Sequence, residues 1–199
     1  MTSNSTELND LIGSRICHDL ISPLGAIGNG VELLTMSGIT MAPELTLIAE
    51  SVENANARIR FFRIAFGAAS PEAMIAKTEV RRVLDDLYRG NRISVDWRIQ
   101  EDTLRLEAKL ACLILQCFES ALPWGGKIAV TRTGDTWSIF GSGDRMKIDE
   151  PLWALFKKPA KLGEVSPSNV HFALVAPTAE SAGRQVKMAL NGNAISVSF

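Results

Sequence analysis

His18 is one of only two histidines in the chain, and a carboxylate, Asp19, follows it directly. Ser22 and Pro23 come four and five residues later, and Gly25, Gly28, Asn29 and Gly30 follow within the same stretch. A neutral imidazole is a nucleophile near pH 7, and an adjacent carboxylate can orient it or accept the proton of its second nitrogen. Ser22, one turn on, is placed to steer water or anionic oxygens, and Arg15, one turn back, to lend positive charge or to pair with Asp19. Each glycine inside a helix costs roughly 0.5–1 kcal/mol relative to alanine. A run of them beside His18 therefore asks for a reason, and close approach of another protein's backbone over Gly25 and Asn29 supplies one. Pro23 removes a helical hydrogen bond and frees a carbonyl near the histidine's turn.

The remaining reactive residue types point away from chemistry. His171 lies in an apolar segment, NVHFALV, far from His18, and the two make no metal motif. Cys17, Cys112 and Cys117 form no CxxC pair, and their odd number argues for reduced, buried thiols rather than a disulfide framework. Trp97, Trp124, Trp137 and Trp153 read as core and edge packing. With 21 basic and 22 acidic residues spread without long runs, the chain has no electrostatic footprint for nucleic acid or an anionic membrane surface. No apolar run approaches the ~20 residues of a membrane span, and the polar N-terminus lacks a secretory pattern. A cytoplasmic protein is expected.

Two kinds of element must position the histidine. From about Glu7 to Met36, Cys17, Leu20, Leu24, Ile27, Val31 and Leu34 recur at spacings of 3, 4, 3, 4, 3, the seam of a bundle-forming helix. Gly38 and Pro43 mark a turn and the start of a second helix, whose seam is Leu45, Ile48, Val52, Ala55, Ile59, Phe62 and Phe66. Placing Leu24 and Val31 at heptad position a puts His18 at b and Ser22 at f, both facing outward. Two helices cannot cover both of their apolar stripes, whereas four can, so a homodimeric four-helix bundle is expected.

After a small-residue segment the pattern changes from bundle to helices alternating with antiparallel hairpins, which predicts an α/β sandwich. Helices are expected at Thr78–Tyr88, Leu104–Ala121 and Ser168–Ala182, the last disturbed by Pro177, with a short one in Pro151–Pro159. Strands are expected at Ile93–Ile99, Lys127–Thr133, Thr136–Phe140, Gln185–Leu190 and Ala194–Phe199. The expected organisation is a hairpin at 1–68, a linker at 69–76 and an α/β domain at 77–199.

The segment His18-Asp19-Leu20-Ile21-Ser22-Pro23-Leu24 resembles the H-box of sensor histidine kinases, usually H-E-L-R-T-P-L. It is still more similar to the H-D-L-x-S-P-x-G-A-I pattern of the dimeric ChpT-like histidine phosphotransferases, and the order of hairpin, linker and kinase-like domain extends the resemblance over the whole chain. The resemblance implies a degenerate histidine-kinase-type, Bergerat-like second domain. It also implies that His18 is the phosphoacceptor, helped by Asp19 and Ser22, with Arg15, Gly25 and Asn29 facing a docked receiver. The implied partners are response-regulator receiver domains, including that of a hybrid histidine kinase, and the implied Mg²⁺ comes from the receiver. Against a working kinase, Gln116 and Ser120 stand where an Asn pair would hold Mg²⁺. Ile139 replaces the adenine-binding Asp before Gly141-Ser142-Gly143, and residues 144–169 hold only Gly163 in place of a glycine-rich lid. No cofactor or metal of its own is therefore expected. The competing readings are an ATP-using kinase core and a non-catalytic receiver-binding scaffold.

Overall fold

A computed structural model describes residues 2–36, 43–157 and 165–199, without the side chains of 2–12, 14, 15 and 19. It divides into two compact units, Met1–Ala68 and Ala69–Phe199. The first contains two helices, α1 (Thr2–Met36) and α2 (Pro43–Ala65), packed along their lengths. The turn read around Gly38 lies outside the described residues. Pro23 sits inside α1, where its missing N–H leaves the carbonyl four residues earlier without its helical donor.

The single seam expected along α1 splits in two. Cys17 is buried, whereas Leu20, Ile27 and Leu34 of the same expected seam stay 46%, 50% and 42% exposed. The residues turned to α2 are instead those near Gly13, Cys17 and Gly28. A Cβ on Gly13 would stand 2.9 Å from the Phe66 carbonyl oxygen, and one on Gly28 would stand 3.4 Å from Val52 Cγ1. Gly28 thus owes its place to packing within the hairpin, and the approach of a partner is not needed to explain it. Gly25 and Gly30 do face open space.

The second unit is a two-layer α/β sandwich. Its five-stranded sheet runs in the order β2 (Ile93–Trp97), β4 (Gly126–Thr133), β5 (Thr136–Ser142), β7 (Ala194–Ser198), β6 (Lys187–Asn191). Strands β2 and β4 are parallel and the other pairs antiparallel. The stretch read as linker carries a strand of its own. Met74–Ile75 (β1) pairs with Thr103–Leu104 (β3) in a small second sheet, too short for alternation to reveal. The helices are α3 (Lys77–Tyr88), α4 (Arg105–Ala121), α5 (Glu150–Ala154) and α6 (Val170–Ser181), with Pro177 inside the last. No described helix is long and apolar enough to cross a membrane.

α4 is the core of this unit. Every residue from Leu106 to Phe118 is buried, because the sheet covers one of its sides and α6 another. Along β5 the alternation puts Trp137, Ile139 and Gly141 inward and leaves Thr136, Ser138, Phe140 and Ser142 more open. Trp137 stacks on Phe199 with centroids 5.4 Å apart and meets Trp97 edge-on at 5.5 Å. Cys112 and Cys117 are fully enclosed in α4, and burial pushes the Cys112 thiol up to about 12. Both thiols stay protonated at neutral pH and serve as packing.

His171 is a core histidine. Its Nε2 lies 3.3 Å from Ser120 Oγ, its ring packs 4.7 Å from Phe172, and burial lowers its pKa from 6.5 to about 4. Below pH 6.5 the unfolded chain takes up a proton that the native ring refuses until about pH 4, so acidification through that window favours unfolding. We expect the wild type to lose about 2 kcal/mol more than His171→Gln between pH 7 and pH 4, partial screening reducing the full shift. Denaturant titrations at the two pH values measure this. Equal losses in both proteins would contradict the assignment.

Candidate functional site

α1 has three faces. The first, Gly13, Cys17 and Gly28, meets α2. The second carries Ile16, 54% exposed, with Leu20, Ile27 and Leu34, and is an apolar stripe that α2 leaves exposed. At about 100° per residue, His18 lies about 100° around the helix from Cys17 and about 160° from Leu20. The histidine therefore occupies a third face, clear of both. His18, Ser22 and Asn29 are exposed there, Gly25 is half-buried, and the backbone at Gly25 has open space above it. An approaching partner would meet the imidazole and, one to three turns further on, nearly bare main chain.

The side chains of Arg15 and Asp19 lie outside the described residues, so their expected roles rest on position alone. One cation went unnoticed in the sequence. Arg63 of α2 is near enough to Cys17, the residue beside His18, to lower its thiol pKa, although burial, the larger effect, leaves that pKa raised. Its place across the hairpin could have been read from the antiparallel pairing of the two helices, which sets the end of α2 beside the start of the box.

In the second unit, the positions compared with a nucleotide site are occupied by packing. Ser120 Oγ donates to the Gln116 carbonyl at 3.2 Å and contacts His171. Gln116 is buried, and its Nε2 lacks a hydrogen-bond partner. Phe118 lies flush on Gly141, where an added Cβ would stand 2.3 Å from Cδ1. Around Phe118 the rings of Trp153, Phe156 and Phe172 form a continuous cluster, with centroid separations of 5.0 to 6.3 Å. Gly141, two residues after Ile139, thus admits a phenyl ring. Part of the expected lid, residues 158–164, lies outside the described residues.

A family model described as the histidine phosphotransferase C-terminal domain matches residues 77–194. The protein phosphotransferase ChpT of Brucella abortus (strain 2308) is 38% identical over 136 residues, a stretch spanning 67% of this chain and 65% of that protein. The alignment therefore covers slightly less than two thirds of the relative's length. A solved structure described as a bacterial phosphotransferase superposes with a TM-score of 0.70 at 27% identity, covering 100% of this chain and 97% of that one. Full-length ShkA in complex with AMPPNP shares the fold, with a TM-score of 0.50 at 14% identity over 96% of this chain and 45% of that one.

Proposed function

The chain belongs to the histidine phosphotransferase family, and from that membership we propose that it carries a phosphoryl group between receiver-domain aspartates in a bacterial two-component phosphorelay, with His18 as the carrier. The observation that supports this most is the exposed position of His18 on a face of α1 used neither by α2 nor by the apolar stripe. A ring nitrogen lone pair attacks phosphorus of the donor's aspartyl phosphate, the P–O bond to the carboxylate breaks, and the carboxylate leaves. The reverse step delivers the group to a second aspartate. The ring's other nitrogen keeps its proton and donates a hydrogen bond to the Asp19 carboxylate, which holds the imidazole in orientation. Mg²⁺ bound by the receiver neutralises the transferred oxygens, and catalysis is otherwise positioning. Arg63 and Arg15 add positive charge near the phosphohistidine, Ser22 borders it, and Gly25 and Asn29 accept the receiver's backbone.

Two copies pair through Ile16, Leu20, Ile27 and Leu34, joined by Leu47 and Ile48 of α2, which are also exposed. The pairing makes a four-helix bundle with one histidine face on each side. The second unit is a Bergerat-like domain that has lost its nucleotide. The Phe118–Gly141 contact and the aromatic cluster around it support the reading that the phosphoryl group does not come from ATP. Transfer from a phosphorylated receiver, run beside labelled ATP with Mg²⁺ as the alternative donor, tests the proposal. Label from the receiver and none from ATP is expected. Robust labelling from ATP would make the chain a kinase, and receiver binding with no label from either donor would make it a scaffold.

A further inference from the structure

On the far side of the sheet from α4, at one end, four loops border a cavity of about 800 Å³ that the phosphorelay reading does not use. Its floor is a single row across three strands. Ser94 of β2 pairs with Lys127 of β4, and Lys127 pairs with Ser142 of β5. The walls carry Arg92, Trp124 and Arg145. The loops are tied to one another by main chain. Gly126 N–H donates to the Arg92 carbonyl at 3.1 Å, Gly143 N–H to the Asn193 carbonyl at 3.3 Å, and the Asn193 side chain to the Asp144 carbonyl at 3.0 Å. Gly125, with φ of +104°, allows the turn, and a Cβ there would stand 2.7 Å from the Arg92 carbonyl oxygen. The concavity is thus fixed by the backbone.

Its chemistry is unusual for this chain. The protein as a whole carries a formal charge of −1, yet the cavity gathers Arg92, Lys127 and Arg145 against one carboxylate, Asp144. Among the described residues no ion pair engages any of the three cations. Trp124 differs from the other tryptophans. Trp97, Trp137 and Trp153 are buried, whereas Trp124 is 51% exposed, with the Arg145 guanidinium 4.8 Å from its ring centroid. Converging cations recognise phosphate, and an exposed indole beside an arginine offers a flat surface on which a base can stack. The volume is that of a small-molecule site.

We propose that this groove binds a nucleotide, its base against Trp124 and Arg145 and its phosphates against Arg92 and Lys127. Ser94 and Ser142 border the sugar. The site is separate from the helix-side positions around Gln116 and Gly141, since Ser142 and Lys127 belong to the outward rows of their strands and Gly141 to the inward row. It does not depend on phosphotransfer at His18.

Calorimetric titration of the full chain with ADP, GDP, adenosine and pyrophosphate tests this, with Trp124 fluorescence as a second readout. Saturable binding of ADP or GDP is expected, at least tenfold tighter than adenosine and than pyrophosphate. Arg92→Ala with Lys127→Ala, and separately Trp124→Ala, should each weaken it tenfold or more, with circular dichroism confirming the fold and Arg145→Ala as a further variant. Gln116→Leu and His18→Ala should bind as the wild type does. Absence of saturable binding by both nucleotides would overturn the proposal, as would pyrophosphate binding as tightly as the nucleotides. Loss of binding in Gln116→Leu with retention in the Arg92/Lys127 variant would overturn it too, by moving the site to the helix side.

Discussion

Glu107→Ala is expected to destabilise the second unit by about 3–5 kcal/mol, the cost typical of removing one member of a buried charge network. Glu107 is 2% exposed within α4. Its Oε1 accepts from Arg184 Nε at 2.9 Å and from the same guanidinium's second nitrogen, and its Oε2 accepts from Trp137 Nε1 at 3.3 Å. Arg132 Nη1 stands 3.9 Å from Oε2, and Arg184 Nη1 donates to the Asp135 carbonyl at 2.9 Å. One carboxylate thus ties the central helix to the β4–β5 turn and to the segment after α6. Alanine would leave a buried indole N–H unpaired and two arginines, each about a fifth exposed, beside each other without their counterion. Arg184→Ala should cost a comparable amount, and the double variant less than the sum, since both remove one interaction. Chemical denaturation of the three variants measures this. A loss under 1 kcal/mol in Glu107→Ala, or strict additivity, would contradict the network's role.

Converting the apolar stripe of α1 to charge is expected to abolish pairing. In Leu20→Glu with Ile27→Glu, four large side chains per dimer, two from each copy, are replaced by carboxylates that would face one another. At the low end of about 1.5 kcal/mol for a fully buried aliphatic side chain, and with about half of each still exposed in one copy, the apolar loss alone weakens association by about 10²-fold, to which the facing carboxylates add repulsion. Analytical ultracentrifugation should find the wild type dimeric at micromolar concentration and the variant monomeric, both with helical circular dichroism. A wild type that is monomeric, or a variant that remains dimeric, would remove the four-helix bundle. His18 lies on another face, so the variant also separates pairing from reactivity.

How much of this was legible in the sequence differs between the two units for physical reasons. The helices of the hairpin announce themselves by a 3-4 spacing sustained over several turns, and the hairpins of the sheet by alternation around Gly134-Asp135 and Asn191-Gly192-Asn193. The division of the α1 stripe was not legible. Leu20 and Cys17 obey the same periodicity, and only the angle at which α2 lies decides that Cys17 is covered and Leu20 is not. Gly28 was counted with Gly25 and Gly30 in the run ascribed to an approaching partner, because sequence spacing gives an angle but not a neighbour. β1 and β3, two residues each, are below the length at which any pattern exists. That Gln116, Ser120 and Ile139 stand where the resemblance to kinases would ask for Asn, Asn and Asp could be read along the chain. That Phe118 then fills the space over Gly141 required the packing, because the two residues are far apart in sequence. The groove beside Trp124 is the extreme case, since Arg92, Lys127 and Arg145 come together only through strand register.

For the site itself, the His-Asp pair and the Ser-Pro spacing were legible because they lie within two turns of one helix, where sequence distance converts directly into geometry. Arg63 lies on the other helix, so its nearness to Cys17 could be read only through the antiparallel pairing of the two. The chemistry assigned to that helix face makes a direct demand. When the wild type and His18→Ala are each mixed with a phosphorylated receiver domain, the wild type should take up label that is stable to alkali and lost in acid, and that maps to His18. His18→Ala, equally folded, should take up none. Label on His18→Ala at the wild-type level, or a wild type that stays unlabelled by every receiver it binds, would contradict the account.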